Sequence, residues 1–249
     1  MPISRKGRFF ETDDLGIVKS LGIESAHLPA CIDEINRRGI QGVFGCPAFG
    51  FGEDNLDFLA ELSGIRQVWF WEVSLRRIDA LYRQEDLEYF GIHPKRPPID
   101  FSRLQRLRDA VWEPVANDSG IDRLTRLRRL DIWRYKSGSR DFAELSLPES
   151  LRKLEFNWCN QESVAALQAL PKLEELQFHY CRNLRSLDGL AKSMPGLKKL
   201  VVTRCANLEG IDEVLQMPLE HLYINIRGKT VADKSPQPVP QTRPAGLAP

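Results

Sequence analysis

Apolar residues recur through the second half of the chain in one short block: Leu151, Leu154 and Phe156, then Leu173, Leu176 and Phe178, then Leu197, Leu200 and Val202. A cysteine follows each block at the same distance, so that Leu151-x-x-Leu154-x-Phe156-x-x-Cys159 sets the template for Cys181 and Cys205 as well. The last two apolar residues of a block are two apart, the spacing of a short strand with one face turned inward. Leu127-x-x-Leu130-x-Ile132 precedes the three full copies and Leu219-x-x-Leu222-x-Ile224 follows them, with steps of 24, 22, 24 and 22 residues between first leucines. Leu107-x-x-Ala110-x-Trp112, Leu87-x-x-Phe90-x-Ile92 and Ile65-x-x-Val68-x-Phe70 are looser copies at steps of 20, 20 and 22, and Ile40-x-x-Val43 starts another.

Each such unit exposes an apolar face that it cannot bury alone, so the units must stack. The residues between blocks return the chain on the opposite side. Residues 162–167 and 209–215 have helix-forming composition but room for only a few turns, so short helices and 3₁₀ turns both remain open there. In template and period the blocks resemble the leucine-rich-repeat family, including its Asn or Cys at the ninth position, clearly over about residues 124–226. The resemblance implies an α/β leucine-rich-repeat solenoid of about eight to nine repeats. A curved parallel β-sheet would line its concave side, and short helices, 3₁₀ turns and loops its convex side. It also implies a surface for binding another macromolecule rather than a catalytic centre.

The ends need different chemistry, because a terminal repeat leaves one flank uncovered. Leu28, Cys31, Ile32 and Ile35 follow helical spacing and Gly39 is placed to stop the helix, so residues 1–39 are expected to form an N-terminal cap. Residues 40–227 are then the repeat domain, degenerate over 40–123 and clear over 124–226. The glycines of residues 45–52 lack the spacing and the Lys-Ser/Thr of a phosphate loop and read as a turn. Beyond Ile226 the apolar period stops. Residues 228–249 are expected to be a disordered tail, with five prolines from Pro236 onward and a stretch, residues 236–244, suited to polyproline II.

Composition narrows the function. Thirty-five basic and 34 acidic side chains leave a net charge of +1, so no global field draws the protein toward nucleic acid or an anionic membrane. No apolar run approaches the roughly 18 residues of a membrane span, and the amino terminus meets Glu11, Asp13 and Asp14 without a signal-peptide core. Five cysteines, none in a C-x-x-C pair, argue against a disulfide framework or a common zinc module, and a cytoplasmic location is expected. Cys159, Cys181 and Cys205 read as a buried structural ladder. His27, His93, His179 and His221 show no metal-ligand spacing, and no cofactor is expected.

Strand alternation names the exposed face. The fifth, seventh and eighth positions of the template are Trp69, Trp71 and Glu72; Gly91 and His93; Val111 and Glu113; Asp131, Trp133 and Arg134. They continue as Glu155, Asn157 and Trp158; Gln177, His179 and Tyr180; Val201, Thr203 and Arg204; Tyr223 and Asn225. Four of the five tryptophans fall at these positions, with Trp112 assigned inward. Large aromatics among charged residues are the composition of protein-binding hot spots. The same rings would also serve as a ladder that merely packs.

The expected function is therefore a non-enzymatic scaffold, monomeric by itself, for a protein partner: an immunity- or antitoxin-like protein, or an adaptor. Nucleic-acid binding through Arg103, Arg106, Arg108, Arg123, Arg126, Arg128 and Arg129 is the alternative, although Asp109, Glu113, Asp122 and Asp131 interleave with them. An enzyme of unrecognised type is a third reading, without convergent acid, base or nucleophile to support it.

Overall fold

The structure, a computed structural model, describes residues 3–13, 15–93 and 95–234. The Pro-rich stretch of residues 236–244 lies outside the described residues. Ten strands run parallel: β3 (Ser20–Gly22), β4 (Gly42–Gly45), β5 (Gln67–Phe70), β6 (Tyr89–Ile92), β7 (Asp109–Trp112), β8 (Arg129–Trp133), β9 (Lys153–Asn157), β10 (Glu175–His179), β11 (Lys199–Thr203) and β12 (His221–Ile226). Two antiparallel strands, β1 (Ser4–Lys6) and β2 (Phe9–Thr12), precede them and one, β13 (Lys229–Asp233), follows, all in a single sheet whose strand order is the sequence order.

The register is that of the apolar template. Leu176 pairs with Leu154 on one side and Leu200 on the other, and Phe178 pairs with Phe156 and Val202. The same column runs back through Leu130, Ala110, Phe90 and Val68 to Val43 and Leu21, so the degenerate copies keep step with the clear ones. These side chains are buried in one continuous core. Where β7 supplies only Ala110, aromatic rings do the packing: Phe101 meets Phe90 at 5.3 Å and Trp112 at 6.0 Å, both edge to face. The convex returns are mostly 3₁₀ turns, such as Asp57–Glu61 and Asp79–Arg83, with α2 (Leu190–Ser193) and α3 (Asp212–Gln216) as single helical turns. Residues 162–167 form turns and bends without a helix.

Both ends differ from the sequence expectation. The capping helix α1 (Leu28–Arg38) is present, with Cys31, Ile32 and Ile35 buried and Gly39 at φ 63° closing it. Residues 1–39, however, also hold β1, β2 and β3, and β3 already belongs to the parallel stack through Val18-x-x-Leu21-x-Ile23, a tenth copy of the template. At the other end, residues 229–233 lie in the segment expected to be disordered yet pair with β12. Arg227 and Gly228 both have positive φ, 51° and 82°, the geometry of a two-residue hairpin turn. The strand escaped the apolar pattern because it is an edge, exposed along most of its length. Short charged strands at both edges, Ser4–Lys6 and Lys229–Asp233, leave no long apolar ladder open to other chains.

Two buried carboxylates hold the irregular parts. Glu11, 1% exposed, pairs with Arg38 and with Lys19 at 2.6 Å. The hydrogen bond from Arg38 outweighs burial and, with Lys19, lowers its pKa from 4.5 to about 2. Asp118, in the loop after β7, accepts from Arg96 through both oxygens at 2.8 Å, from the Trp112 indole at 2.9 Å and from the Ile99 and Val115 amides at 2.7 and 2.9 Å. These donors hold its carboxyl below the usual range although burial opposes them.

A depressed carboxylate stabilises the fold above its unfolded pKa and loses that contribution as pH falls. The urea midpoint of wild type should therefore exceed that of Glu11→Gln most above pH 4.5, with the gap narrowing steadily toward about 2. A gap that stays constant with pH would contradict the pairing. Asp118→Ala leaves Arg96 buried without a counter-charge and should cost about 3–5 kcal/mol in urea unfolding at pH 7.

Candidate partner-binding face

The eighth template position leaves the strand. Glu72, Arg134, Trp158, Tyr180 and Arg204 all adopt left-handed backbone, with φ of 57°, 51°, 60°, 57° and 58°. This turn lets the ninth residue swing inward: Cys159, Cys181 and Cys205 are buried, and the Cys181 and Cys205 thiols donate to the Phe156 and Phe178 carbonyls of the preceding strands at 3.6 and 3.9 Å. The neighbouring Cys181 sulfur and burial push the Cys159 and Cys205 thiols up, away from reactive thiolate. Left-handed backbone costs a non-glycine residue about 1 kcal/mol or more, and glycine or asparagine would relieve it. None of these five positions uses either.

In the first half of the arc the aromatic residues build a pocket. Trp69 lies flat across Gly91 of the next strand, where a Cβ would sit 2.0 Å from the indole. Trp69 also meets Trp71 at 6.3 Å and Tyr89 at 5.9 Å, while Trp71 stacks on Phe44 at 6.1 Å. Phe49 and Phe10 continue this cluster onto the N-terminal hairpin. Trp69, Trp71 and Trp133 remain partly exposed around a cavity of about 180 Å³, whose other walls include Val111, His93 and Glu113. Burial lowers the His93 pKa below its ordinary 6.5 despite nearby Glu113 and Glu72, which leaves the ring neutral at pH 7. Glu113 receives a hydrogen bond from Arg134 at 2.8 Å through one oxygen, Oε2.

The second half is a polar network flanked by a ring stack. Asn157 donates to Glu155 at 2.9 Å, and the His179 ring nitrogens lie 2.6 Å from Thr203 Oγ1 and 2.8 Å from Gln177 Oε1. Trp158 and Tyr180 stack at 4.3 Å with their planes 2° apart, and the Arg204 guanidinium lies 5.4 Å from the Tyr180 centroid. Trp158 is 41% exposed. Tyr223 borders a shallow recess with Thr203, Arg204 and Asn225.

Besides Gly91, which lies under Trp69, two residues expected on the open face are covered. Asp131 is buried beneath Arg129, which reaches it at 2.7 Å, and Asn157 is buried beside Glu155. Their strand positions point outward, but neighbouring long side chains lie over them. The expectation also passed over the third template position, which faces the same way: Lys153 and Lys199 each reach Glu175 at 3.0 Å from adjacent strands. Alternation alone marks this column, two residues before the fifth position.

Of the arginines considered for nucleic acid, Arg106, Arg108 and Arg129 pair with Asp86, Glu88 and Asp131, and Arg103 lies over the Tyr82 ring at 3.8 Å. Among the described residues no group of three or more His, Cys, Asp or Glu is placed to hold a metal ion, and no helix is long and apolar enough to cross a membrane. Because Trp69 fills the space above Gly91, Gly91→Ala should displace the indole. The expected result is an altered near-ultraviolet circular dichroism spectrum and a loss of about 1–3 kcal/mol in urea unfolding.

No family model matches the chain, and no curated protein matches it in sequence. Its backbone is similar to the leucine-rich repeat domain of the type III effector XopL, with a TM-score of 0.50 and 20% identity over 74% of this chain and 68% of that one. Internalin C2 from Listeria monocytogenes gives a TM-score of 0.41 and 15% identity over 70% of this chain and 83% of that one. Template, parallel register and the XopL likeness agree: the chain folds as a leucine-rich-repeat solenoid.

Proposed function

We propose that this chain is an interaction scaffold that docks a partner protein on its concave face and the adjoining edge. The observation that carries this reading is the set of strained eighth positions. Trp158, Tyr180 and Arg204 sit in a backbone conformation that favours glycine, yet present a stacked and partly open aromatic strip. Strain of this kind is retained where the side chain has a task that a smaller residue would not perform. Rigid aromatic groups anchor protein interfaces at small entropic cost, and the polar network beside them supplies directional contacts.

A preformed arc of this type can occlude or bridge a partner without chemistry of its own, which supports an antitoxin-like or adaptor role over an enzymatic one. Five free and buried cysteines suit a reducing, cytoplasmic compartment. The paired arginines along the basic edge weigh against the nucleic-acid reading.

The test is quantitative capture from the native organism with wild-type protein beside a Trp133→Ala, Trp158→Ala, Tyr180→Ala variant, both checked for folding by circular dichroism. A specific partner should bind the variant at least about 30-fold more weakly, as expected for loss of about 2 kcal/mol or more at a hot spot. Equal retention by the two baits would overturn the assigned face.

A further inference from the structure

We propose that the pocket among Trp69, Trp71 and Trp133 receives an arginine side chain, whose guanidinium stacks on the indoles and donates to Glu113. The inference rests on the docking reading for the source of that arginine, as a residue of the partner protein. Three features of the pocket select this chemistry. Its walls are mostly aromatic and apolar and include three tryptophans, the side chains whose rings attract cations best. Its lining carries a carboxylate with spare capacity: Arg134 occupies Glu113 Oε2, and no described residue donates to Oε1. Its charge balance is negative, since Arg134 offsets Glu113, His93 is kept neutral by burial, and Glu72 is exposed at the eighth position of the strand beside it.

An apolar anchor would fill the cavity but leave Glu113 Oε1 without use. An ammonium would satisfy that oxygen, but as a compact and strongly hydrated charge it would gain less from flat indole faces. A guanidinium is planar, weakly hydrated and able to stack and donate together. Arg134 already shows the geometry in part. Its own guanidinium reaches Glu113 from the next strand while staying half-exposed, so an incoming arginine would share or displace that contact.

The probe is N-acetyl-arginine amide titrated against intrinsic tryptophan fluorescence, with N-acetyl-citrulline amide as the neutral isostere. Three of the five tryptophans line the pocket, so occupancy should be read directly. The arginine amide should give a saturable change at least about tenfold tighter than the citrulline amide. Glu113→Gln should weaken arginine binding and leave citrulline unchanged. Arg134→Met, which removes the internal competitor, should strengthen arginine binding. Equal binding of the two amides, no saturable change with arginine, or weaker arginine binding by Arg134→Met would each overturn the inference. The amides report on the pocket alone and the capture experiment on docking, so either reading can fail while the other stands.

Discussion

The repeat architecture depends on one constraint: a strand of three to six residues with a single apolar face cannot bury that face by itself. Leu176 becomes buried only because Leu154 and Leu200 stand beside it in register, and the same holds along the column from Leu21 to Leu222. Stability is thus carried by neighbour contacts between repeats rather than by any one unit. The repeat strands must be parallel and follow sequence order, and their outward face must be continuous. The surface available for binding is a by-product of how the inward face is satisfied.

That outward face is not uniform, and the turn after each strand explains part of the difference. Bringing the ninth residue into the core requires left-handed backbone at the eighth. From Trp158 to Arg204 this places large side chains at the rim of the arc, where they stack on one another instead of following the strand. In the earlier repeats the rim is less regular, and aromatic residues gather on the sheet itself. Gly91 removes a side chain where Trp69 must lie, so a single absent Cβ shapes the floor of the pocket. The N-terminal hairpin then closes that end through Phe10, which packs on Phe49 of the turn after β4 and so leaves Trp71 partly covered, while Trp133 lines the cavity from a later strand.

The ends show a second consequence of stacking. A solenoid without terminal cover would expose both a core flank and a sheet edge. Here α1 covers apolar surface at the start, antiparallel strands finish the sheet at both ends, and Glu11 ties the first of these devices together through Arg38 and Lys19. The Asp118 hub serves the degenerate middle in a comparable way. It fixes the Trp112 indole and the loop amides where the leucine template is weakest.

The sequence by itself determined the repeat, its register and the inward columns from Ile40 onward, because these follow from a local period; the first copy, Val18-x-x-Leu21-x-Ile23, lies inside the segment expected to be cap alone. Even the loose copies at Leu107, Leu87 and Ile65 keep that register in the structure. It also named most of the outward residues, since alternation along a strand is local as well. Only the tertiary structure decided which of those residues are open. Asp131 is covered by Arg129, Trp69 is laid flat by the absence of a side chain on the next strand, and Glu113 is half-occupied by an arginine 21 residues away. The edge strand at residues 229–233 was likewise invisible, because a strand that buries almost nothing leaves no apolar pattern to read. Periodicity records which side of the chain faces the core; it carries no record of which neighbours meet on the other side.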